Sequence, residues 1–164
     1  MPTPTYDLLA STTLTSTAAT VTFASINQSY GDLVLVADYT MGGDAFLFGV
    51  VQFNGDTGSN YPWVIARAST FNAASFTNTA SFVYLNASIT ASVSEKTLAI
   101  LQIMDYSATN KHKSVLARGN RPGGFTEMVA SRWANTAAIN SILITGLQNT
   151  YSAGSTFNLY GIAK

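Results

Sequence analysis

The chain holds one histidine and eight carboxylates, so a reaction centre would have to be assembled from very little. His112 stands in NKHKS between Lys111 and Lys113. A polar turn of that composition keeps the ring in water. It reads as a solvated loop residue. No serine lies in the G-x-S-x-G setting of a nucleophile elbow. Asp7, Asp32, Asp38, Asp44, Asp56, Glu95, Asp105 and Glu127 are scattered along the chain. A glycosidase pair would therefore need two of them to converge in a cleft from distant segments. GGDAFLFG, at 42–49, lacks the lysine and the helix start of a phosphate-binding loop. Gly42 and Gly43 read as a hairpin turn instead. The expectation is a protein that is not an enzyme and carries no cofactor.

The densest polar stretch is FNGDTGSNYP, at 53–62, set between AFLFGVV and YPWVIA. A calcium loop needs six to eight oxygen ligands, roughly, with several carboxylates among them. This stretch offers only Asp56, helped by the amides of Asn54 and Asn60. As a turn it is well equipped, because Asn54-Gly55 and Gly58 supply positive φ and Asn and Asp side chains bond back to nearby backbone. The reading is a structural turn built on Asn54, Gly55, Asp56 and Gly58, with no metal. Tyr6, Tyr30, Tyr39, Tyr61, Trp63, Tyr84, Trp133 and Tyr160 supply the aromatic surface for a sugar-stacking platform, although aromatics in strands usually pack in cores or across strands.

The elements that must hold these residues are short apolar runs rich in Val, Ile, Phe, Tyr and Thr. Clusters of Gly, Asn, Ser and Asp break them at about eight to twelve residues. TVTFASI (20–26) alternates, with Val21 and Phe23 on one face, whereas DLVLVADY (32–39) is apolar throughout its centre and reads as a strand buried on both sides. AFLFGVVQF (45–53), YPWVIARAS (61–69), SFVYLNASI (81–89), TLAILQIMDY (97–106), KSVLARG (113–119), TEMVASRW (126–133), NSILITGL (140–147) and TFNLYGIA (156–163) follow. ASTFNAASFTNTASF (68–82) reads as a long loop or an edge strand, and EMVASRWANTAAI allows at most a short turn of helix. About ten strands in one unit predict an all-β fold, a two-sheet antiparallel β-sandwich of jelly-roll-like form. No linker or repeat divides residues 1–164, so one domain is expected.

Charge adds exclusions. Lys plus Arg number 8 against 8 Asp plus Glu, and charged residues make only 10% of the chain. Such a chain has no basic field to gather nucleic acid. No apolar stretch approaches the roughly 18 to 20 residues of a membrane helix, and MPTPTYDLL has no export-signal pattern, so no membrane is expected. With no cysteine, disulfides and thiolate metal sites are excluded. A surface this poor in charge must show water many Ser, Thr, Asn and small apolar groups, which suits it to being covered by another protein.

YDLLASTTLTSTAATVTFASINQSYGDLVLV (6–36), VQFNGDTGSNY (51–61), ANTAAINSILITG (134–146) and AGSTFNLYGI (153–162), in that order, resemble a group of tailed-phage and prophage virion proteins. The likeness rests on the aromatic-Asn-Gly-Asp loop and the closing Gly-Ser-Thr-Phe-x-Leu-Tyr-Gly-Ile strand. It departs at Gln52, where the group tends to carry Arg. The resemblance implies a structural virion protein assembled in the bacterial cytoplasm. One form is a capsid cement or decoration protein that binds the major capsid protein and itself, as a dimer or trimer. The alternative is a tail- or head-fibre-associated protein that binds host carbohydrate. Residues 1–5 extend before the first apolar run, where Pro2 and Pro4 bar a helix and favour an extended arm, with Tyr6, Leu8 and Leu9 as anchors on a capsid neighbour. The same segment reads equally well as the first strand of the chain's own sandwich.

Overall fold

The computed structural model describes residues 5–42, 48–68, 73–87, 95–120 and 126–164. Among these residues the regular elements are all strands. They are β1 (Tyr6–Thr13), β2 (Thr20–Phe23), β3 (Asp32–Tyr39), β4 (Met41–Gly42), β5 (Phe48–Phe53), β6 (Tyr61–Ala68) and β7 (Ala73–Ala80). Then come β8 (Val83–Ala87), β9 (Thr97–Met104), β10 (Lys113–Asn120), β11 (Thr126–Trp133), β12 (Ile142–Gly146), β13 (Thr150–Tyr151) and β14 (Thr156–Ile162).

An eight-stranded sheet runs in the order β1-β14-β3-β9-β10-β11-β6-β7, and a four-stranded sheet runs β2-β12-β5-β8. A short ribbon pairs β13 with β4. Every pairing in both sheets is antiparallel. The result is a jelly-roll-like antiparallel β-sandwich, as the strand spacing predicts. Two of the alternatives left open by the sequence resolve as strands, and two short strands exceed the reading. β1 (YDLLASTT) and β7 (AASFTNTA) are the edge strands of the large sheet, rich in Ser, Thr and Ala, and β4 and β13 are two-residue pieces too short for a periodic signal. EMVASRWANTAAI holds no helix, because its first half is β11 and its second half is irregular.

Alternation sets the core. β3 turns Leu33, Leu35, Ala37 and Tyr39 inward, β9 turns Ala99, Leu101 and Ile103, and β14 turns Phe157 and Leu159. From the smaller sheet Val21, Phe23, Val51, Phe53, Ile142 and Ile144 meet them. Each fully buried large side chain contributes about 1.5–3 kcal/mol through removal from water. Tyr39, Tyr151 and Phe157 form an aromatic group, Tyr39 edge-on to Tyr151 at 5.2 Å and stacked on Phe157 at 6.1 Å. One expectation changes here: β3 is central but buried on one face only, since Val34 and Val36 are half-exposed on the other. No second layer lies over that face among the described residues, so its apolar run faces outward.

β1 pairs with β14 along its length, which joins the start of the chain to its end. A bulge between Leu8 and Ala10 reverses the facing of the strand. Tyr6 and Leu8 point outward, while Leu9 and Ala10 pack against the core.

Candidate interaction surface

The stretch 53–62 is a densely hydrogen-bonded connection between β5 and β6. Asn54 and Gly55 have φ of 53° and 70°, and Asp56 N–H donates to the Phe53 carbonyl at 2.9 Å, a two-residue turn of the type that matches strand twist. The Asn54 amide donates to the Ala138 carbonyl at 2.8 Å and accepts from the N–H groups of Asn140 and Ser141 at 2.9 and 3.1 Å. It thereby pins the segment that leads into β12.

Asp56 is the other post. Its carboxylate accepts from Gly58 N–H at 2.9 Å, from the Asn60 amide at 2.9 and 3.1 Å, and from the Trp133 indole N–H at 2.7 Å. Burial pushes this carboxyl up, but the bonds from Trp133, Asn60 and Gly58 together outweigh it and hold the group below its ordinary value. The Tyr61 hydroxyl donates to the Asp56 carbonyl and accepts from Phe53 N–H, and burial pushes this phenol up to about 12. These oxygens are already engaged by protein donors. No group of three or more His, Cys, Asp or Glu side chains able to hold a metal ion occurs among the described residues.

On the far side of Trp133 lies a lysine. Lys113 is fully buried, pairs in register with Trp133, and places its ammonium 5.9 Å from the indole ring centre. It donates to the carbonyls of Lys111 and Thr136 at 2.9 and 3.1 Å. Burial lowers its pKa, opposed by Asp105 and reinforced by Lys111. The signal was available: Val115 and Ala117 face the core, and two-residue periodicity puts Lys113 with them. His112, next to it, is exposed.

A second buried ionic group joins Arg67 of β6 to Glu127 of β11, directly opposite in register, with Arg67 Nε and Nη2 at 3.2 and 3.1 Å from Glu127 Oε2. The guanidinium also lies 5.8 Å from the Phe76 ring centre. The remaining carboxylates do not gather. Asp38 and Asp105 form surface pairs with Lys96 and Lys111, and Asp32 accepts from Asp105 N–H. Asp44 and Gly43 lie outside the described residues, as do Pro2 and Pro4 of the anticipated arm. The aromatics divide. Tyr39, Tyr61 and Trp133 are core, and Trp63 and Tyr84 pack edge to face at 5.3 Å. Tyr6 and Tyr160 sit on the outer sheet face.

That outer face is the largest functional candidate. Register places Leu8, Tyr160, Val34, Gln102, Leu116, Ala130 and Val64 in one row across the sheet. Val36, Ile100, Arg118, Met128 and Ala66 form the next row. Several of these side chains lie open to water, with Tyr6 and Leu8 each 57% exposed and Met128 50%. The face carries two carboxylates, Asp32 and Asp38, and two guanidiniums, Arg118 and Arg132. Neither arginine makes an ion pair among the described residues. Three shallow depressions meet at Arg118, the largest of ≈ 680 Å³. Gln102, Asn120 and Thr126 supply polar groups around it.

No known protein family matches the sequence, and no curated protein is similar to it. Solved structures that share its outline include a variant of alginate lyase Aly36B in complex with an alginate trisaccharide, at 12% identity over 93% of this chain and 78% of that one, with a TM-score of 0.36. Another is the Caenorhabditis elegans galectin LEC-6, at 10% identity over 94% of this chain and 96% of that one, with a TM-score of 0.34. Likenesses this distant carry no argument about what this chain binds or does.

Proposed function

We propose that the chain is a non-enzymatic structural protein of a tailed-phage particle, a decoration protein that binds the major capsid protein at capsomer junctions. The observation that supports this reading is the outer face of the eight-stranded sheet, a wide surface of Tyr, Leu, Met and Val with few charges. Contiguous exposed apolar patches of this kind mark protein contact surfaces. The resemblance carried by the Phe53–Tyr61 loop and the β14 strand supplies the virion context. Quantitative mass spectrometry of particles made by the phage that encodes the chain tests it. Hundreds of copies per particle support a decoration role, a handful moves the protein to the tail or a fibre, and absence overturns the proposal.

A second reading, carbohydrate binding by a fibre-associated protein, is favoured by the depressions at Arg118, where Gln102, Asn120 and Thr126 offer hydrogen bonds beside the apolar surface of Met128 and Leu98. A glycan array probed with the wild-type protein and with Arg118→Ala separates the two. Saturable binding lost in the variant supports the second reading, and no binding leaves the structural one.

A further inference from the structure

We infer that the outer face of the eight-stranded sheet is a two-fold interface with a second copy of this chain. The inference deepens the assembly part of the reading above, but needs only the purified protein for its test.

Size comes first. Eight strands about 4.8 Å apart, each rising about 3.3 Å per residue over eight residues or so, span about 38 by 26 Å, or about 1,000 Å². A stable interface buries about 800 Å² per partner. The face is large enough, and it is the outward half of strands whose inward half already forms the core.

Complementarity selects the occupant. Asp32 and Arg132 lie in one row, on β3 and β11, with Met104 of β9 and Ser114 of β10 between them. A two-fold axis parallel to the strands, midway between β9 and β10, lays β3 of one copy over β11 of the other. It sets Arg132 over Asp32 twice, once on each side of the axis. The same operation sets Val36 over Met128, Val34 over Ala130 and Tyr160 over Val64, so apolar groups meet on both flanks of the axis, while beside the axis itself the Gln102 amide falls over Leu116. Arg118 then falls over Ile100, one strand and one row from Asp38. Face-to-face sheets pack with their strands about 30° apart, which leaves these central pairs within side-chain reach. A closed dimer also needs a surface that complements itself, and two guanidiniums with two carboxylates on the face meet that condition.

Leu116 sits beside the axis and is exposed in the single chain, so Leu116→Glu tests the contact without touching the core. Sedimentation equilibrium of the wild type should give a dimer. Leu116→Glu should raise the dimer dissociation constant by about 100-fold or more with an unchanged circular dichroism spectrum, because each dimer receives two buried carboxylates. Arg132→Glu should weaken the dimer by about tenfold, and Asp32→Lys added to it should restore most of the loss. A wild-type monomer at high concentration overturns the inference, as does a dimer that Leu116→Glu leaves intact or a charge swap that fails to restore. A dimer that never binds capsids leaves the interface standing and removes the decoration reading alone.

Discussion

Replacing Asp56 with alanine removes the acceptor that satisfies the indole N–H of Trp133, a side chain only 1% exposed, at 2.7 Å. A buried donor left unpaired costs about 1–3 kcal/mol. The lost bonds to Gly58 N–H and the Asn60 amide are nearer solvent and add about 1 kcal/mol. The sum, about 3 kcal/mol, lowers the melting temperature by about 6–12 °C for a domain of this size. Asp56→Asn keeps one acceptor oxygen and should cost about 1 kcal/mol. The pH dependence fixes the cause. Because the folded pKa lies below the unfolded value of about 3.9, the stabilisation is fully present above about pH 4 and is lost as pH falls through the folded value. Calorimetric melts at pH 7 and pH 3 should therefore show wild type losing more than Asp56→Asn on acidification. Asp56→Ala melting within 2 °C or so of wild type at pH 7 would refute the account of the loop as a structural node.

Four further outcomes follow from the same structure. Chelator should leave the melting temperature unchanged, since the loop oxygens are occupied by protein donors; a drop of several degrees, reversed by calcium, would show a bound ion. Gly161→Ala should cost about 1–3 kcal/mol, because a Cβ there would lie 2.5 Å from the Tyr30 ring, and chemical denaturation measures it. Glu127→Ala leaves the Arg67 guanidinium buried without its carboxylate and should cost about 3–5 kcal/mol, whereas Arg67→Met with Glu127→Leu should cost less, a contrast that paired melts read directly. Burial raises the phenols of Tyr39, Tyr61 and Tyr151, so the stability they contribute is present below about pH 10 and is lost as pH rises through their folded values; ultraviolet titration should show these phenolates appearing only with unfolding.

The sandwich was legible because period-two alternation and turn residues are local signals, and both sheets obey them. β2 places Val21 and Phe23 inward as its pattern requires, and the Asn54-Gly55 pair makes the turn that its composition favours. Long-range partners were not legible. Nothing in NKHKS shows that Lys113 will meet Trp133 across a strand pair, or that Trp133 will close on Asp56 from the other side. Two halves of that node are 77 residues apart, and only the fold brings them to 2.7 Å. The stretch 68–82 read as either a loop or an edge strand, because its Ser, Thr and Ala content carries little periodic signal and its pairing with β6 is a long-range choice. The anticipated arm is split by the structure. Tyr6, Leu8 and Leu9 belong to β1, with Tyr6 and Leu8 turned outward where a neighbour can still reach them.

The distribution of polarity on β10 and β11 explains why one sheet face invites a partner. KSVLARGN places Lys113 inside and Leu116 outside, and TEMVASRW places Glu127 inside and Met128 outside. On an isolated domain the opposite arrangement costs less, since buried charges must be desolvated and exposed apolar groups gain nothing from water. Here the inner charges are satisfied by fixed partners: Lys113 by two carbonyls and an indole face, Glu127 by Arg67. Inverting either strand by one residue would put Leu116 or Met128 in the core and free the charges, yet would also turn Val115 and Trp133 outward. The register is therefore held by the larger inward groups, and the outward Leu116, Met128 and Val64 are left to be covered from outside. A layer that packs on them removes their exposed apolar surface from water, at about 25 cal/mol per Å² before the costs of association. That gain depends little on salt, so added salt should leave the dimer constant within about tenfold, whereas an interface built on ion pairs would lose far more.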